Sequence, residues 1–148
     1  MPDKIYQKPK EDFIKRTCIW LADFPITYKH FVIKKNYKNQ YYYKNLDDDW
    51  SGYKGQDVVI VEMNVDLNQK LDNNVFITLL KLSDNNIFPA LLRNENHNII
   101  IYPQYSILVV ITNCSIKDFC KNNKKLKDIL KSRFFFIGIT DNKLKNFN

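Results

Sequence analysis

Hydrophobic positions in this chain fall into short continuous blocks separated by polar runs rich in asparagine, lysine and aspartate. The clearest block is Val58-Val59-Ile60-Val61, which follows the turn chemistry of Gly52, Gly55 and Asp57 and ends on Glu62, Met63 and Asn64. Consecutive β-branched residues bounded by turn formers predict a strand buried on both faces, as in the middle of a mostly parallel sheet. Ile107–Thr112 repeats the pattern and stops at Asn113. Thr17–Leu21, 41–44 and 134–139 are shorter apolar or aromatic runs, read as further strands. Residues 73–82 carry Val75, Phe76, Leu79, Leu80 and Leu82 near one helical turn apart, which predicts a helix with an apolar stripe. Helices are also expected at 27–36 and, strongly basic, at 116–131. Residues 87–93 and 98–102 flank Asn94-Glu95-Asn96-His97 and predict a β-hairpin. Residues 1–16, with Pro2 and Pro9, read as a loose polar arm, 46–55 as a polar loop and 142–148 as a polar tail. Strands alternating with helices make an α/β layered domain with a mostly parallel central sheet. In such a sheet Glu62, at the carboxyl end of a buried strand, lies where ligands bind.

Composition narrows the class. At 148 residues the chain has the size of one domain, and 45% hydrophobic residues exclude wholesale disorder. The formal net charge of +7 favours polyanionic partners, although a solvated lysine-rich surface gives the same sum. Cys18, Cys114 and Cys120 share no metal-ligand spacing with His30 and His97, and read as free thiols of a reducing compartment. Residues 1–16 are charged and lack the apolar centre of a secretory signal, and no apolar stretch reaches the roughly 20 residues that span a bilayer. The expectation is an intracellular protein, neither secreted nor membrane-bound.

The order of the pieces carries a resemblance. An aromatic strand, Tyr41-Tyr42-Tyr43-Lys44-Asn45, is followed by Trp50-Ser51-Gly52-Tyr53-Lys54-Gly55-Gln56 and then by Val58-Val59-Ile60-Val61-Glu62. Downstream come the leucine-rich Phe76-Ile77-Thr78-Leu79-Leu80, the strand Leu108-Val109-Val110-Ile111-Thr112-Asn113-Cys114, and Leu130-Lys131-Ser132-Arg133-Phe134. This succession resembles the superfamily 3 helicase (ATPase) domain of replication-associated (Rep) proteins from circovirus-like single-stranded DNA viruses, over residues 17–141. The resemblance implies a P-loop NTPase-like, AAA+-like fold, ATP and magnesium as cofactors, and single-stranded DNA or RNA as partner. It further implies assembly into a hexameric ring and action in the nucleus or cytoplasm of a host.

Carried over by position, the resemblance places Lys29 on the phosphates, with His30 where a magnesium-binding hydroxyl would stand. Glu62 would hold magnesium through water, Asn113 would be the sensor near the terminal phosphate, and Arg133 would reach a neighbouring subunit's nucleotide. Arg93 and His97, at the hairpin tip, would meet nucleic acid in the central channel. The departures concern the same chemistry. A phosphate-cradling loop needs glycines so that backbone amides can turn toward phosphate at close approach, and 23–30 has none. Asp23, Ile26 and Tyr28 fill the glycine positions, and Met63 replaces the second strand-end acid, whose proton-accepting role a thioether cannot perform.

Read without the resemblance, Lys29 and Arg133 are solvated charges, Glu62 and Asn113 are strand-end residues feeding turns, and the hairpin faces solvent. Two functions therefore compete: an active ring helicase, and a helicase-derived module that binds nucleic acid with hydrolysis impaired or lost. The missing cradle and Met63 favour the second. The chain also lacks a segment resembling the nicking domain of full-length Rep proteins.

Overall fold

The computed structural model describes residues 5–22, 29, 33–35, 40–94 and 97–137. In chain order the elements are β1 (Thr17–Leu21), β2 (Tyr41–Tyr43), β3 (Val58–Met63), α1 (Asn73–Ser83), β4 (Ala90–Asn94), β5 (His97–Ile101), β6 (Ile107–Thr112), α2 (Ile116–Cys120), α3 (Lys124–Arg133) and β7 (Phe134–Ile137). Five strands form one sheet in the order β2-β3-β6-β1-β7, and every neighbouring pair is parallel. The remaining two strands, β4 and β5, pair antiparallel as a separate hairpin. This is an α/β layered domain with a parallel central sheet, compatible with a P-loop-like fold.

The continuous apolar runs exist because both faces of the sheet are covered. Ile19, Leu21, Val58, Ile60, Val109, Ile111 and Ile137 form one core layer with Ile33, a residue in helical conformation. Cys18, Trp20, Val59, Val61, Leu108 and Val110 form the other, against Leu79 and Leu82 of α1, Phe119 of α2 and Leu126 and Leu130 of α3. Alternate residues of one strand thus feed opposite layers, and neither face could be polar. Trp20 anchors the second layer: it is fully buried, its indole Nε1 donates to the Cys114 carbonyl at 2.8 Å, and its ring centroid lies 5.5 Å from Phe119 and 5.4 Å from Phe134.

Three expectations need correction. The basic helix expected over 116–131 is two helices, because Lys121 adopts a left-handed φ of 51° and Asn123 starts a new helix by accepting the Leu126 amide at 3.1 Å. The loop over 46–55 is held by aromatic packing rather than being merely polar. Trp50 stacks on Tyr42 at 5.8 Å between centroids and meets Tyr53 at 5.2 Å, while Gly52 and Gly55 supply positive φ angles of 81° and 88° for the turns. The arm is also not loose over residues 5–16. Ile5 is buried, Tyr102 donates its amide to the Ile5 carbonyl at 2.7 Å, and Ile14 donates to Asn85 at 2.7 Å. Apolar Ile5, Phe13 and Ile14 are too sparse in that segment to form a periodic signal. Their partners lie about 70 to 100 positions away, at 85–86 and 102.

All three cysteines, Cys18, Cys114 and Cys120, are buried. Burial pushes the thiols of Cys18 and Cys120 up to about 11, so these groups stay protonated near neutrality. Among the described residues no helix is long and apolar enough to cross a membrane.

Candidate functional site

Parallel pairing puts the carboxyl ends of β1, β6 and β3 side by side: Leu21 aligns with Ile111, Ile111 with Glu62, and Thr112 with Met63. Here residues from three strands and the segment after β1 converge, as expected for a ligand site of an open α/β sheet. Glu62 is exposed at this edge. Met63 points the other way and is buried in the core, so an ionised acid at that position would carry a heavy desolvation cost without a partner.

The other residues placed here by resemblance are engaged in holding the strand ends together. Lys29 is 3% exposed and donates its Nζ to the carbonyl of Thr112 at 2.5 Å. Asn113 accepts the Val65 amide on Oδ1 at 2.9 Å and donates Nδ2 to the Val65 carbonyl at 2.8 Å. That pair clips the segment leaving β3 to the end of β6, and an amide used at both ends is not aimed at a terminal phosphate. His30, with Asp23, Ile26 and Tyr28, lies outside the described residues. The geometry of Lys29, Met63 and Asn113 does not fit a working ATP–magnesium site.

Arg133 stands at the opposite end of the sheet. It precedes Phe134, whose partner is Cys18 near the start of β1, roughly 10 Å of strand below the Leu21 row. Its Nη1 donates to the Leu80 carbonyl at 2.8 Å and to Ser83 Oγ at 3.0 Å, closing the carboxyl end of α1. The structure therefore brings together Lys29, Glu62 and Asn113 and leaves Arg133 and the hairpin apart from them.

The hairpin immediately precedes β6 in the chain. Its register pairs Arg93 with Asn98 and Asn94 with His97. Arg93 and His97 are both exposed near the tip, but alternation sends them to opposite faces. Arg93 shares a face with Leu91, Asn98 and Ile100; His97 shares one with Leu92, Ile99 and Ile101, which pack on the core. Beneath the Leu91–Ile100 pair lies a cavity of about 390 Å³ lined also by Lys44, Trp50, Thr78 and Lys81. Lys44 at its wall is already satisfied by the carbonyls of Asn45 at 2.7 Å and Asp47 at 2.6 Å.

One charged residue escaped the sequence reading. Arg16 is 7% exposed and donates to the main-chain carbonyls of Tyr105, Asp84, Asn86 and Pro103 at 2.7 to 3.1 Å. Its guanidinium carbon lies 4.0 Å from the centroid of the Tyr105 ring. Burial works against its charge; Tyr105, Cys18, Tyr53 and Asp84 work for it. In the sequence Arg16 is one of many basic residues in a polar run, and nothing local marks it as buried.

No protein-family model matches the chain, and no curated protein matches it.

Proposed function

We propose that this chain is a helicase-like domain of a replication-associated protein that binds single-stranded nucleic acid through the β4–β5 hairpin and has lost efficient nucleotide hydrolysis. What carries the reading is the hairpin itself: an antiparallel pair with Arg93 and His97 exposed at its tip, inserted just before β6 of a parallel sheet. The resemblance expects a nucleic-acid-gripping hairpin at that point of the chain. The net charge of +7 supports attraction to a polyanion. Impaired hydrolysis is supported by the glycine-free loop, the buried Met63, and the commitment of Lys29 and Asn113 to main-chain groups. Arg133 is used within its own subunit, so this reading does not require ring assembly.

The test is anisotropy of a fluorescent oligothymidylate titrated at several salt concentrations with wild-type protein and Arg93→Ala/His97→Ala. The double variant should bind about 5–10-fold more weakly. Its salt slope should fall by about 0.7, the loss of the one phosphate contact assigned to Arg93. Unchanged affinity and unchanged slope would remove the hairpin from the interface.

A further inference from the structure

We propose that Arg16 is a positioning residue that braces both stems of the β4–β5 hairpin and so fixes the direction in which its tip points. The stem entering β4 supplies the carbonyls of Asp84 and Asn86, which accept from Arg16 Nη1 at 2.7 and 2.9 Å. The stem leaving β5 supplies those of Pro103 and Tyr105, which accept from Nη2 at 3.1 Å and Nε at 3.0 Å. One planar guanidinium thus spans the two roots of the hairpin, with the Tyr105 ring against it. Only arginine has donors in a rigid fork able to serve acceptors on several sides at once; an ammonium is a single point.

The preceding residues extend the brace. Arg16 donates its amide to Asn85 Oδ1 at 3.0 Å, Ile87 donates to the Asp12 carbonyl at 2.8 Å, and Phe13 bridges to Asn86. The brace matters because β4 and β5 share no ladder with the five-stranded sheet. Each hairpin arm has five residues, a lever of roughly 16 Å, so a small rotation at the stems becomes a large displacement of Arg93 and His97. The functional consequence rests on the nucleic-acid reading above; the mechanical claim does not.

Hydrogen exchange read by mass spectrometry decides it, with Arg16→Lys as the main variant, since it keeps the charge and loses the fork. Hairpin amides within 90–101 should exchange at least tenfold faster while amides of β3 and β6 keep their wild-type rates. Asn85→Ala, at an exposed position, should move the same amides in the same direction by about threefold and keeps the test open if Arg16→Lys does not fold. In the oligothymidylate titration Arg16→Lys should weaken binding at least threefold with an unchanged salt slope, because no phosphate contact is lost. An equal acceleration throughout the sheet and hairpin, or none in the hairpin, would overturn the brace. Failure of the wild-type protein to bind the strand would instead overturn the nucleic-acid reading, and the exchange rates would still decide the brace.

Discussion

Replacing Trp20 by alanine is expected to lower the unfolding free energy by about 3–5 kcal/mol and the thermal midpoint by roughly 10–15 °C. Trp20 is fully exposed to neither solvent nor loop: it is 0% accessible at the centre of the layer formed with α1, α2 and α3. Truncation removes ring contacts to Phe119 and Phe134 and also the hydrogen bond that the indole donates to the Cys114 carbonyl at 2.8 Å. Trp20→Phe should recover part of the loss by filling volume, without restoring the indole hydrogen bond. Urea unfolding followed by circular dichroism measures both variants. A loss below about 1 kcal/mol for Trp20→Ala would contradict the packing described.

The second large effect is expected at Lys29. A lysine that serves only a phosphate should be dispensable for folding, whereas a buried ammonium tied to the Thr112 carbonyl should not be. Lys29→Met keeps much of the aliphatic stem and removes the charged donor, so the unfolding free energy should fall by about 1.5–3 kcal/mol. Binding of a fluorescent nucleotide analogue should be equally absent before and after the change. Wild-type stability together with a loss of nucleotide binding would assign Lys29 to the phosphates instead.

The inner strands β1, β3 and β6 were legible because they are buried on both faces, which leaves an apolar run with little room for a polar residue. Thr17–Leu21 and Ile107–Thr112 have the expected bounds, while the hairpin strands run over Ala90–Asn94 and His97–Ile101 where 87–93 and 98–102 were expected. The split between α2 and α3 was not legible, because lysine at 121 gives no hint of a left-handed φ, and Asn123 looks like one more asparagine in an asparagine-rich chain. Burial of Arg16 was invisible for a different reason: its acceptors are main-chain carbonyls, which carry no side-chain signature, at positions 84, 86, 103 and 105.

At the candidate site, the resemblance set Lys29, Glu62 and Asn113 together; β3 and β6 do end side by side, and Lys29 reaches that end through the Thr112 carbonyl. What spacing could not disclose is the use of each side chain. Asn113 belongs to Val65 and Arg133 to the end of α1, and these uses depend on loop paths that no periodicity encodes. Arg93 and His97 sit four positions apart in sequence, yet hairpin alternation puts them on opposite faces. A strand gripping the tip would therefore meet Arg93 together with Asn98, and His97 only by wrapping the edge.

Phosphate release from ATP by the purified protein, with magnesium and oligothymidylate present and Glu62→Ala run in parallel, tests the central claim most directly. Wild-type protein should release no more phosphate than the variant while both still bind the oligonucleotide. Turnover well above background in wild-type protein that disappears in Glu62→Ala would contradict the account and establish a working ATPase at the ends of β1, β3 and β6.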